Sequence, residues 1–270
     1  MGNRRTPAPE TASRNEQFEQ LLDEFSLKLA GNDDDRQRAY RLRHEVYCQE
    51  IGYQPPAGSS SDMELDPYDD SALHCLMVHR RSGIDAGCFR LVLPDPDPEH
   101  PDLRLPLQEY GGTSLTHATL HPCRLPLDEI CEISRFATAR AFRNRPICHE
   151  TLDDTRLAYA FSDEERRVFP LITISLFLAT HALVELVGRR HIFAMMASRL
   201  PRLLAMSGFR FTRIGDAIEL HGKRNAFYID NEVAKCEMNP ALTFPYASIR
   251  SQLASQLPLA VVDREQLGLW

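Results

Sequence analysis

Ile130-Cys-Glu-Ile-Ser-Arg-Phe-Ala-Thr138 decides the fold. Its β-branched and apolar residues read as a core strand, yet it carries Glu132, Ser134 and Arg135. A carboxylate and a guanidinium among apolar neighbours are costly unless partnered, so the partners must come from elsewhere in the chain. Three segments offer them. Leu42-Arg43-His44-Glu45-Val46-Tyr47 lies on a predicted helix. Asp62-Met-Glu64-Leu-Asp66-Pro-Tyr68-Asp69 forms a loop, and Arg90 is flanked by Phe89, Leu91, Val92 and Leu93. The economical arrangement is one buried network joining Arg43, Asp66, Asp69, Arg90, Glu132 and Arg135. The alternative is a set of unrelated surface salt bridges.

Outward from this strand, periodicity and turn chemistry order the rest. Glu16–Asp23 reads as a short helix with Phe18, Leu21 and Leu22 on one face, and Phe25–Leu29 alternates as a strand. Asn32-Asp-Asp-Asp35 starts a helix expected to reach about Glu50, with Tyr40, Arg43 and Tyr47 on one stripe. After the loop Pro55–Ser61, Ala72–His79 and Ile84–Leu93 form a hairpin around Arg80–Gly83, closed by Pro94–Pro98. Residues 99–126 read as irregular, and residues 146–164 carry no clear pattern. Pro170 is expected in the first turn of a long apolar helix that Gly188 ends. A strand at His191–Met196, a helix at Ser198–Met206 and a strand pair at Phe209–Ile214 and Ala217–Ile229 follow. The order β-α-β-β, then β-α-β-α-β-β, suits one mixed-sheet α/β core. The expected divisions are a tail and short helix over 1–24, a central domain over 25–230 and a C-terminal extension over 231–270.

Composition narrows the function. The chain has 270 residues, 43% hydrophobic and 26% charged, with a formal net charge of −7. A general nucleic-acid binder carries the opposite sign, so an anionic partner must be met by a local basic patch. Seven cysteines without a CxxC pair suggest reduced thiols and a cytoplasmic location. The first 17 residues lack an apolar signal segment, although Met1–Thr6 fits the loose myristoylation pattern on Gly2. Leu171–Val187 contains Thr173, Ser175, Thr180, His181 and Glu185, which favours a buried helix over a membrane span. His117, His121, Cys123 and Cys131 match metal-ligand spacing only loosely, and no metal is expected. His181 reads as a core histidine. Phe169, Ile172, Phe177 and Leu178 read as core or as the lining of an apolar pocket.

The four charged segments, in this order, resemble the acyl-homoserine-lactone (autoinducer) synthases. They look more like the acyltransferases associated with PEP-CTERM/exosortase systems. Tyr40–Cys48, Arg90–Pro94 and Glu132–Phe136 carry the resemblance, which spans about residues 25–230. It implies a GNAT-like fold, a mixed sheet flanked by helices and splayed between its fourth and fifth strands to admit a thioester arm. It places the family's charge cluster on Arg43, Asp66, Asp69, Arg90, Glu132 and Arg135. Tyr47 and Tyr53 fall where the autoinducer synthases have Phe and Trp, a departure that bears on homoserine-lactone formation.

The activity implied is transfer of a fatty acyl group from acyl-carrier protein (ACP) or coenzyme A (CoA) to a small amine, with no bound cofactor. Its variants are an autoinducer-type or N-acyl amino acid synthase and a non-catalytic thioester- or lipid-sensing module. An attacking amine must lose a proton, and the tetrahedral intermediate carries an oxyanion. Glu132 is the expected base, since burial raises a carboxyl pKa. Arg43 and Arg135 are expected to position Glu132 and the acceptor. Ser134 orients the acyl group or satisfies the backbone, and Asp66, Asp69 and Arg90 are architectural. Phe136, Ala137 and Thr138 are expected to hold the thioester and pantetheine. Arg140, Arg143 and Arg145 would meet phosphate or an acidic carrier, a patch that Arg166, Arg167, Arg189, Arg190 and Arg202 could extend.

Overall fold

The computed structural model describes residues 9–54, 62–94, 105–143 and 161–257. The loop 55–61, most of Pro94–Pro98, Arg145 and most of residues 146–164 lie outside the described residues. Eight strands form one sheet in the order β1-β2-β3-β4-β5-β8-β6, with β7 paired to β8. They are β1 (Phe25–Leu29), β2 (Ala72–His79), β3 (Asp85–Val92), β4 (Ile130–Thr138), β5 (His191–Met196), β6 (Thr212–Arg213), β7 (Ile218–Glu219) and β8 (Lys223–Asp230). All pairings are antiparallel except β4 with β5.

Both faces are covered. Helix α2 (Asp33–Arg43) begins at Asn32, whose side chain accepts from the Asp35 N–H, and three aspartates favour the positive end of the dipole. From His44 to Glu50 the helix widens to π pitch. It packs on the face of β3 that carries Arg90. The opposite face carries Gly87, where a Cβ would meet Leu176 and lie 2.8 Å from the Ala137 carbonyl oxygen. Leu176 belongs to the long helix α4 (Asp163–Leu186). Short helix α3 (Pro106–Gly111) lies before β4, and α5 (Leu200–Ala205) follows β5. Helix α1 (Pro9–Glu24) packs on α4, as does α7 (Thr243–Ala254), while α6 (Asn231–Glu237) joins β8 to the C-terminal segment.

The structure corrects several boundaries. Helix α1 starts well before Glu16. Pro170 lies inside α4 instead of in its first turn, because Ser162 and Glu165 form a reciprocal capping box one turn and more upstream. The expected strand over 217–229 breaks at Leu220–Gly222, where His221 and Gly222 both adopt positive φ, +49° and +91°. Strand β6 is only two residues long, and residues 106–111, expected irregular, start a helix at a proline suited to a first turn. Helix α4 is long and apolar enough to cross a membrane, but its apolar window is mostly buried within this fold.

Candidate active site

Three arginines and three carboxylates meet where α2, β3 and β4 converge. Arg43 donates through Nε to Glu64 at 2.5 Å and through both Nη atoms to Asp69 at 2.6 and 3.0 Å. Arg90 Nη1 donates to Asp66 at 2.5 Å and Asp69 at 2.8 Å, and its Nε donates to Ser134 Oγ at 3.0 Å. Arg135 reaches Glu64 through Nε at 3.0 Å and Asp66 through Nη2 at 2.8 Å. The loop is shaped for this. Asp66 caps a short 3₁₀ turn that opens with Pro67, and the Asp69 carboxylate accepts the Asp66 N–H in return. Arg43 and Arg90 are 1% and 0% exposed, so their charges survive only because the acids neutralise them. Burial opposes the charge of Asp69, but the guanidiniums of Arg43 and Arg90 overcome it, and its carboxyl titrates well below the usual range.

This cluster differs from the expected network at one member. Glu64 takes the place assigned to Glu132, so Arg43 and Arg135 hold Glu64 and do not grip Glu132. A bulge in β4 explains how Arg135 joins. Between the pairs Arg90↔Ser134 and Cys88↔Ala137, β4 spends one residue more than β3. Arg135 sits there at φ +51°, which turns its side chain to the face of Ser134, where strict alternation would place it opposite.

Glu132 is left with no arginine in contact among the described residues. Its Oε2 accepts the Leu107 N–H at 2.7 Å, a bond supplied by the first turn of α3. Burial dominates and pushes its carboxyl up to about 7, against the pull of that N–H and the more distant Arg90 and Arg135. A carboxyl poised there can accept a proton near neutral pH.

The sheet opens beside it. Strand β4 pairs with β5 only through Ile130–Glu132 and His191–Phe193, while β5 continues along β8 to Met196. The wedge beyond Glu132 is a cavity of about 270 Å³, walled mainly by apolar groups that include Ile133, Phe136, Phe177, Ile192 and Ala194. A second cavity of about 150 Å³ is lined by Glu132, Tyr53, Tyr110, His221 and Arg224. Tyr47, Ser134, Arg135, Met195 and Arg224 line both, so the two spaces adjoin at β4.

Other expected residues fall as follows. Phe136 lines the wedge, and its carbonyl accepts the Tyr47 hydroxyl at 2.9 Å. Ala137 and Thr138 pair with Cys88 and Gly87. Arg140 is exposed on a 3₁₀ turn, whereas Arg143 bonds the Thr138 carbonyl and Glu50. Arg166 lies over the Phe161 ring, Arg189 donates to the Leu127 carbonyl and Arg190 pairs with Asp230. Of the apolar stripe, Phe177 lines the wedge, and Phe169, Ile172 and Leu178 belong to the core. His181 lines the wedge as well. Its Nδ1 bonds Asn231 at 2.7 Å, and burial lowers its pKa to about 4. The Nδ1 atoms of His117 and His121 accept backbone N–H groups in turns, and no group able to hold a metal occurs among the described residues.

Sequence reasoning left Glu64, His221 and Arg224 out of the site. Glu64 stands inside the quoted acidic segment. His221 lies in the turn that interrupts the strand expected over 217–229, and Arg224 lies at the start of β8 just after it.

Residues 42–152, less than half of the chain, match the family model described as acetyltransferase (GNAT) domain. Comparison with curated protein sequences returns no match. Among solved structures, TofI, determined in a ternary complex with an inhibitor and MTA, is 21% identical and aligns over 80% of this chain and 99% of its own, with a TM-score of 0.54. BjaI, described as a CoA-dependent acyl-homoserine lactone synthase and solved with SAM and isopentyl-CoA, is 17% identical, covering 84% and 89%, with a TM-score of 0.52. FeeM, an N-acyl amino acid synthase from uncultured soil microbes, is 13% identical, covering 80% and 96%, with a TM-score of 0.52. The fold is therefore GNAT-like, a mixed sheet flanked by helices, as the motifs implied.

Proposed function

We propose that this chain is an N-acyltransferase that moves a fatty acyl group from an ACP or CoA thioester to a small amine. The carrying observation is Glu132, a buried carboxyl raised to about 7 where the apolar wedge adjoins a smaller cavity. The acyl chain and pantetheine arm run through the wedge along Phe136, Ala137 and Thr138. The amine enters the smaller cavity. Its nitrogen attacks the thioester carbonyl carbon while Glu132 takes the departing N–H proton, directly or through water. Ser134 Oγ already accepts from Arg90, so its own proton is available to the developing oxyanion. Collapse breaks the C–S bond, releases the thiol after protonation and leaves an amide. Arg43, Arg90, Asp66 and Asp69 hold the frame, and Arg135 shapes the wall between the cavities. Arg140 and Arg145 are the arginines assigned to the pantetheine phosphate or an acidic carrier. Arg143 serves there indirectly, by bracing the end of β4.

The resemblance of its motifs to the acyltransferases associated with PEP-CTERM/exosortase systems supports a role of that kind, proposed together with a cytoplasmic setting. An N-acyl amino acid or autoinducer-type product is the second reading, favoured by the likeness to FeeM and BjaI. The catalytic unit is assigned to residues 25–230, with 1–24 and 231–270 as its flanks.

The test incubates the protein with acyl-ACP and acyl-CoA of several chain lengths and a panel of amines. Free thiol and acylated product, read by mass spectrometry, support the proposal. Tight thioester binding without turnover would identify a sensing module instead.

A further inference from the structure

Arg224 is a cation whose charge is not spent. It lies at the start of β8 and lines both cavities. Its Nη2 donates to the Tyr53 hydroxyl at 2.8 Å and, at 3.4 Å, to the His221 carbonyl, and its Nε donates to the Leu220 carbonyl at 3.4 Å. All three acceptors are neutral, Nη1 has no partner, and no carboxylate pairs with Arg224 among the described residues. The contrast with Arg135 on the same cavity wall is direct, since two carboxylates already hold that guanidinium.

The surroundings fix where Arg224 points its fork. Tyr53 stacks on the His221 ring at 3.7 Å between centroids, nearly parallel, and His221 holds a left-handed φ of +49° in the turn before β8. That conformation is unfavourable for a residue with a Cβ, so the stack and the two carbonyl bonds together keep the turn closed around Arg224. The same cavity of about 150 Å³ has the Glu132 carboxyl in its wall.

We infer that Arg224, held by Tyr53 and His221, is the anion anchor of the acceptor site, and that the acceptor is a compact amine bearing an anionic group. The inference rests on the acyltransferase reading. With the anion on Arg224, the amine would be aimed toward Glu132, and a planar guanidinium favours a carboxylate held by two hydrogen bonds. A phosphonate or sulfonate offers the same oxygens, and the experiment separates these sources.

The test compares kcat/KM for an α-amino acid, its carboxamide, and the matching aminophosphonate and aminosulfonate, in wild type, Arg224→Gln and Arg224→Lys. Wild type should prefer an anionic amine over the carboxamide by roughly 10- to 100-fold, the span of a charge-assisted pair. The ranking of the three acids identifies the anion. Arg224→Gln should collapse that preference through the acceptor KM and leave the thioester KM in place, with partial recovery in Arg224→Lys. Equal use of acid and carboxamide by wild type would overturn the inference. So would a change in thioester KM alone in Arg224→Gln. If no amine is acylated, the acyltransferase reading fails separately. Calorimetric titration with the same amines then decides the anchor, through binding of acids over carboxamides that Arg224→Gln loses, or no such binding.

Discussion

Around Ser134, three guanidiniums face three carboxylates, and their charges cancel. Glu132 stands outside that balance, two residues away on β4, where its carboxylate accepts the Leu107 N–H and no arginine contacts it among the described residues. Its carboxyl is raised by burial from an ordinary value of 4.5 to about 7, so the folded protein holds a proton there that the unfolded chain releases. The sign follows from linkage. Below the unfolded pKa the group costs nothing, and stability falls as pH rises from about 4.5 through about 7. Glu132→Gln removes that cost, so the variant should be more stable than wild type at pH 8, with the difference vanishing below about pH 4.5. One pKa unit corresponds to about 1.4 kcal/mol, so the full difference is on the order of 3 kcal/mol. Denaturant melts of both proteins across this range check it, and a variant less stable at every pH would mean that the Glu132 charge is well paired. The sequence exposed this tension, a glutamate in an apolar strand, but it could not assign the partners. Glu64 and Glu132 are both acids near arginines in the motif order. Only the β4 bulge at Arg135 and the Leu107 N–H from α3 decide which acid is paired.

At the scale of elements, the site depends on how closely α4 approaches the sheet. Gly87 on β3 has no room for a side chain, because a Cβ would meet Leu176 on α4 and the Ala137 carbonyl on β4. Gly87→Ala should therefore cost about 1–3 kcal/mol, the usual range for overpacking, and should weaken thioester binding by shifting the strand that carries Phe136. A thermal melt with a thioester-binding titration tests both effects, and a variant unchanged in each would show that α4 yields freely. The regular elements were legible in the sequence where period and caps agreed, as in β1, β2 and α2. The start of α4 was misplaced because Pro170 suggested a first turn, whereas the Ser162–Glu165 box nucleates the helix earlier. The turn at Leu220–Gly222 was hidden because His221 adopts a left-handed conformation that its residue type does not announce.

Across the whole molecule, the first and last described helices close the same core. Phe18 of α1 and Ile249 and Leu253 of α7 are fully buried together with α4. Gln252 of α7 and Gln256 just beyond it bond the outer edge of β1 at Leu27 and Leu29, which leaves that strand less open to edge pairing. Within this frame the sheet opens where β4 leaves β5 just past Glu132. The chemistry is assigned to that opening, and its pH dependence is the most direct test. The measurement is kcat/KM for acyl transfer from pH 5 to 9 in wild type and Glu132→Gln. A working base must be ionised, so the wild-type rate should rise with pH to a plateau, with a midpoint near 7. Glu132→Gln should lose roughly 10²- to 10⁴-fold in rate and lose that midpoint. Undiminished transfer by Glu132→Gln, with the same limb near pH 7, would contradict the account.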